Sequence, residues 1–107
     1  WLSRTAIFKV EPRVIVDNEA SRYFTVIEVN GRDRPGFLNK VAWTMTQLGL
    51  QIASSHIATY GERAVDVFYV KDVFGLKVSH AGKRAQIEKA LTEAIRESNA
   101  LVTGTAA

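Results

Sequence analysis

The chain has 107 residues, of which 47% are apolar and 23% charged, with no cysteine and a formal charge of +3 at pH 7. That length suits one domain with one core, and the lack of cysteine removes disulfides, thiolate nucleophiles and cysteine metal sites together. No apolar run approaches the roughly 18 residues that a bilayer span needs, and the fourteen Lys and Arg residues, spread from Arg4 to Arg96, form no basic block of the kind a nucleic-acid partner would select.

No signal-peptide pattern is present, and the lack of cysteine is compatible with a reducing cytoplasm, the expected location. Trp1 in place of Met suggests a piece cut from something longer. Ala6 to Val10 and Arg13 to Val16 read as β-branched strand segments interrupted at Pro12, an edge strand whose ladder lacks a donor there. Asp17 to Ser21 is a turn, and Phe24 to Val29 a strand that should pair antiparallel with the first. After Gly36, Leu38, Val41, Ala42, Met45 and Leu48 fall on one helical stripe, and Gly49 stands where a left-handed cap is wanted. Leu50 to Thr59 and Ala64 to Lys71 are strands joined at Tyr60-Gly61-Glu62, a hairpin with glycine at its bend.

Val73 to Ala81 reads as a loop, with a helix start near Ser79. Ile87, Ala90, Leu91, Ala94 and Ile95 then mark a helix from Gly82 to about Asn99, followed by a fraying tail. The expected organisation is an N-terminal segment with an added edge strand over 1–22, a domain over 23–99 and a tail over 100–107. The order ββαββα predicts an α+β fold, with both helices across one face of a four-stranded antiparallel sheet. Ala64 to Val70 is apolar on both parities, with Val65, Val67 and Tyr69 one way and Phe68 and Val70 the other. Such a strand expects cover on both faces, hence a second copy or another domain. Trp43, off the helical stripe, is expected to be exposed or to meet that partner.

The corner Glu28 to Leu38 carries the chemistry. A strand runs into Asp33-Arg34-Pro35-Gly36 and opens a helix whose first N–H groups lack helical partners, a place for a carboxylate. Pro35 suits the first helical position, and Gly36 removes a Cβ where a ligand or a neighbouring backbone would collide. The same residues also make an ordinary strand-to-helix turn.

Asp33-Arg34-Pro35-Gly36 at this corner, with Gly49-Leu50-Gln51-Ile52 opening the next strand, resembles the ACT domain, a regulatory amino-acid-binding module of ferredoxin-like fold. Val26 to Gly36, Leu50 to Ser54, His56-Ile57, Thr59 to Arg63 and Val65 to Lys77 together resemble the C-terminal ACT domain of the bacterial bifunctional uridylyltransferase/uridylyl-removing enzymes, which modify the nitrogen-regulatory PII protein. The likeness covers roughly Glu11 to Ile95. It departs from the usual ACT order, in which a strand follows the second helix, because here an added strand comes before the first helix; the N-terminal segment is expected to fill that fourth position or to swap to another molecule.

The resemblance implies a catalytically silent regulatory domain that senses glutamine, in a homodimer or paired ACT domains. Magnesium and UTP would belong to the parent enzyme, and no cofactor to this domain. For an amino acid, the N–H groups of Gly36, Phe37 and Leu38 would face the carboxylate, Asp33 or Asn30 would accept from the ammonium, and Ile52 to Ser54 would contact the side chain. Gly31 allows the turn, and Arg32 and Arg34 supply charge or are simply solvated. Each residue has a plainer role: Asp33 caps the helix, Asn30 closes a strand end, Ser54 is small to leave room.

Other chemistries find no support. His56 and His80 are the only histidines and fall in different elements, so neither a metal cluster nor a triad with Ser54 or Ser55 is built. Gly31 and Gly36 lack the third glycine of a dinucleotide loop and a following Lys-Ser or Lys-Thr. The alternatives are an interaction module that pairs domains without a ligand of its own, and an RNA-binding sheet, for which Tyr69 alone is a thin platform.

Overall fold

The computed structural model describes residues 12–30, 36–61 and 63–104. Its elements are β1 (Arg13–Asp17), β2 (Thr25–Asn30), α1 (Phe37–Gln47), β3 (Gln51–Tyr60), β4 (Arg63–Lys71) and α2 (Ala81–Gly104). The expected order ββαββα is found, whereas the strand expected over Ala6 to Val10 lies outside the described residues. All strand pairs are antiparallel, in the order β1-β2-β4-β3. β1 pairs with β2 along its whole length, Val14 opposite Val29 and Val16 opposite Ile27, and so fills the fourth strand position from the N-terminal side.

Alternation along the strands sends Val14, Ile27, Val29, Phe68 and Val70 to one face, where they meet Phe37, Val41 and Met45 of α1 and Ile87, Leu91 and Ile95 of α2 in one core. The α1 stripe differs from the expected one in its first member. Phe37, Val41 and Met45, each four apart, are buried, whereas Leu38, one residue round the helix, is 44% exposed. Past Gln47 the helix closes as expected on a left-handed Gly49 (φ 81°). Gly49 N–H donates to Thr46 O and Leu50 N–H to Met45 O, both at 3.0 Å, the two bonds of a Schellman cap.

Tyr60 opposite Arg63 closes the hairpin, with Gly61 at φ 66°. α2 begins at Ala81, between the entry expected near Ser79 and the expected helix start at Gly82. His80 caps it, its Nδ1 accepting from Lys83 N–H at 3.2 Å and its carbonyl from Arg84 N–H at 3.1 Å. The helix continues to Gly104 instead of ending near Asn99, because nothing between Ile95 and Gly104 interrupts it with Pro or Gly. No helix among the described residues is long and apolar enough to cross a membrane.

The second sheet face carries its own small cluster of Val26, Val65 and Val67, with Ala58 and Tyr69 against it. The two-parity reading of β4 therefore holds: Val65, Val67 and Tyr69 stand on this face and Phe68 and Val70 on the other.

Candidate functional site

The strand-to-helix corner is built at the end of β2. Gly31, Asp33, Arg34 and Pro35, with Arg32, lie outside the described residues; Asn30, Gly36, Phe37, Leu38, Ile52 and Ser54 lie within them. α1 begins at Phe37, with Gly36 as its N-cap in the left-handed region at φ 82°, so the first helical position is Phe37 and not Pro35. A Cβ added to Gly36 would meet nothing within 4 Å. The positive φ favours glycine here whatever the space, and among the described residues no neighbouring backbone would meet the added Cβ.

Among the described residues no side chain caps this helix, and no acidic residue stands in its first turn. Lys40 N–H donates to Gly36 O at 3.0 Å. The N–H groups of Phe37, Leu38 and Asn39 point out of the helix end, where the dipole favours an anion. Phe37 contributes only its backbone, since its ring is committed to the core, whereas Leu38 is open to solvent beside it. At the close of β2, Asn30 Oδ1 is buried and has no hydrogen-bond partner among the described residues. The open N–H donors at the start of α1 and the amide oxygen at the close of β2 thus flank the segment that joins the two elements.

The structure does not bring Ile52 and Ser54 to that corner within one chain. β4 stands between β2 and β3, so β3 is not the adjacent strand that the sequence reading assumed. Asn30 lies level with Val65 and Ala58, while Ile52 lies opposite Val70, five residues further along β4, roughly 17 Å away along the sheet. An irregularity at Ala53 also interrupts the pairing, so that Ile52 stands opposite Val70 and Ser54 opposite Tyr69. These two strand partners face opposite sides of the sheet, and Ile52 packs against the helix-side core while Ser54 is exposed.

The remaining candidates resolve simply. His56 is exposed and stacks on Tyr69 with ring centroids 5.4 Å apart, and Phe24 meets the same ring edge-on at 6.0 Å. Tyr69 is thereby half-buried and engaged from two sides, which removes it as a base-stacking platform. Trp43 is exposed, with Lys40 Nζ 5.4 Å above its ring. No group of three or more His, Cys, Asp or Glu side chains among the described residues is placed to hold a metal. Sequence reasoning missed His80 as the α2 cap and the bulge at Ala53, neither of which carries a local signal.

Comparison with known proteins fits this geometry. Residues 20–98 match the ACR family N-terminal ACT domain. The chain is 59% identical over 98 residues to the bifunctional uridylyltransferase/uridylyl-removing enzyme of Azospirillum brasilense and 58% identical over 95 residues to that of Rhodospirillum rubrum. These matches cover 92% and 89% of this chain and 10% of each relative. The enzyme of the same description from Phenylobacterium zucineum is 50% identical over 99 residues, 92% of this chain and 11% of that relative. The family description is of an N-terminal ACT domain, where the sequence resemblance points to a C-terminal one. No solved structure matches. The chain spans about a tenth of the relatives' length, a stretch that the ACT domain fills and that leaves no room for their catalytic domains.

Proposed function

Given that the chain belongs to the ACT domains of the ACR family, we propose that it senses glutamine at the Asn30 to Leu38 corner and thereby biases the uridylyltransferase and uridylyl-removing activities of a parent enzyme toward the PII protein. The regulatory role follows from the family. The observation that carries the ligand is the α1 N-terminus at Gly36, which makes no side-chain cap bond, with the buried Asn30 Oδ1 at the close of the strand that leads toward it. The carboxylate takes the N–H groups of Phe37 and Leu38, the ammonium donates to Asn30 Oδ1 or Asp33, and Arg34 supplies charge at the rim.

Pairing of two ACT domains supplies what one chain lacks. β3 is the outer strand of the sheet, ten residues long and exposed along most of its length. A second ACT domain of the same kind, added antiparallel along that edge and centred near Ser55 and His56, sets its own positions 52 and 54 beside Thr59 and Ile57 of the first. Thr59 and Ile57 occupy the end of the sheet that carries the corner, opposite Ala64 and Asp66. Ile52 and Ser54 of the second domain then stand at the same end of the paired sheets as the corner, with β3 and β4 between them and β2, and ligand binding at the corner favours the paired arrangement. A preference of about 1–3 kcal/mol for one arrangement changes activity several-fold or more.

The test is isothermal titration of L-glutamine into this chain, with D-glutamine and L-glutamate as controls and light scattering to follow assembly. Stereospecific heat in a paired sample that Gly36→Val abolishes, with the fold retained, is the expected result. A folded, paired sample that gives no heat, together with a full-length enzyme whose glutamine response survives Asp33→Ala and Gly36→Val, overturns the reading.

A further inference from the structure

At the end of the sheet away from the corner, a cleft of about 330 Å³ opens between the turn after α1, the loop after β4 and the approach to α2. Its floor is Leu48, Leu50 and Val78, of which Leu50 and Val78 are buried, and Val73 and Phe74 of the loop form a wall. The loop is held by its own polar groups. Asp72 Oδ1 accepts from Phe74 N–H at 2.8 Å and from Leu76 N–H at 3.0 Å, and Gln51 Nε2 donates to Asp72 O at 2.8 Å. The wall therefore stands in place without an occupant, although Val73 and Phe74 are 62% and 83% exposed. A preformed concave surface, mostly apolar with a few polar groups at one end, is the usual form of a small-molecule site, and apolar side chains left open on it gain from being covered.

The approach to α2 sets the polar end, where Ser79, His80 and Lys83 line the cleft and each offers a donor. His80 Nδ1 accepts from Lys83 N–H at 3.2 Å, so the neutral imidazole carries its proton on Nε2. The ring lies against Gly82, where an added Cβ would meet His80 Cε1 at 2.9 Å, so the absence of a side chain there lets the imidazole keep its place. Lys83 adds a positive charge. Asp72 lines the loop side, with its Oδ1 already taken by two N–H groups. Donors at one end of an apolar cleft match a carboxylate that carries an apolar body. Size narrows the choice: at about 30 Å³ per water-sized group, the cleft has room for about eleven non-hydrogen atoms, too few for a nucleotide or a length of peptide strand.

We propose that this cleft is a second ligand site, which takes a small carboxylate with an apolar body. The carboxylate sits on His80 and Lys83, and the body lies between Leu50, Val78 and Phe74. Two sources share that chemistry, a free aliphatic acid and an α-amino acid with an apolar side chain, whose ammonium would face Asp72. Glutamine does not fit, because its amide would lie on Leu50 and Val78 without a partner. The inference thus goes beyond the glutamine reading and does not rest on it. A second copy of this chain fits less well. The apolar side chain that it could insert from the same loop is Phe74, and the carboxylate two residues away, Asp72, is folded onto its own turn.

The experiment titrates the isotope-labelled chain with isocaproate and, in parallel, with L-leucine, and follows backbone amide shifts by NMR. Saturable shifts over residues 48–50 and 72–83, with residues 36–38 unmoved, are expected. Binding should weaken at least several-fold in Lys83→Met, which keeps the stem and the backbone N–H, and in Phe74→Ala, which removes an exposed side chain. It should stay unchanged in Lys89→Met, on the exposed face of α2. Isocaproamide, the same body without the charge, should bind at least several-fold more weakly than isocaproate. Tighter binding of L-leucine than of isocaproate assigns the ligand to apolar amino acids, and the reverse order assigns it to free acids. Absence of saturable shifts with both probes in the folded chain overturns the proposal, as does equal binding of acid and amide, binding that survives Lys83→Met unchanged, or shifts at 72–83 that grow with protein concentration alone, which would place Phe74 in the cleft of a second copy. Gly36→Val, which should abolish the glutamine response, should leave these shifts intact, so the two readings fail separately.

Discussion

Replacing Thr25 by valine tests the bond network that joins the β1–β2 turn to the approach of α2. Thr25 is fully buried at the start of β2; its hydroxyl donates to Asn18 Oδ1 at 2.6 Å and accepts from Val78 N–H at 2.8 Å. Asn18 Nδ2 donates in turn to Val78 O at 3.1 Å, and Arg84 donates to the same carbonyl at 2.8 Å. Valine has the shape of threonine, so Thr25→Val removes the hydroxyl and little else. Asn18 is half-buried and can turn its oxygen to water, but the N–H of buried Val78 keeps no partner. Leaving a buried donor unpaired costs about 1–3 kcal/mol, and the slightly more favourable burial of a methyl offsets part of it, for a net loss of about 2 kcal/mol.

For a domain near this size each kcal/mol moves the melting temperature by roughly 4–8 °C, so a fall of about 10 °C is expected. Thr25→Ser is the control, because it keeps the hydroxyl and loses one methyl, about 1 kcal/mol. Urea unfolding of the three proteins should rank wild type above Ser and Ser above Val at unchanged m-value. A valine variant as stable as the serine variant would refute the reasoning, since it would mean that the hydroxyl's two bonds contribute nothing net.

Two further outcomes follow from burial and backbone geometry. Leu91→Ala, at a fully buried core position, should cost about 2–5 kcal/mol in urea unfolding, while Trp43→Ala, at an exposed one, should stay within about 0.5 kcal/mol. Gly36→Ala should cost about 1–2 kcal/mol although nothing crowds the site, because the loss comes from the positive φ alone; a neutral alanine would show that the corner relaxes out of the left-handed region.

Much of this architecture was legible in the chain because its signals are local. The α1 stripe, the Gly49 cap and the Gly61 hairpin each follow from residues within four positions of one another, and the structure keeps the cap, the hairpin and the stripe beyond its first member. Where the reading slipped, the deciding contact lay elsewhere. Leu38 and Phe37 are equally apolar, and only the placement of α1 over the sheet selects Phe37 for the core and leaves Leu38 at the surface. Ser79 is the better intrinsic cap, yet Val78 is anchored by Thr25, Asn18 and Arg84 in a way that leaves His80 at the helix start.

Taken by itself, the chain determined the order of elements, the use of β1 as the fourth strand and the corner at Gly36, because periodicity, turn chemistry and capping act over short separations. Tertiary structure alone decided which segments meet. Ile52 and Ser54 follow α1 closely in sequence, but antiparallel pairing through β4 carries them to the far end of the sheet, and the bulge at Ala53 turns them to opposite faces. The exposure of Phe74 was decided in the same way: an apolar residue is buried only if the fold brings a surface over it, and the turn that Asp72 Oδ1 holds at Phe74 N–H and Leu76 N–H leaves this side chain 83% exposed.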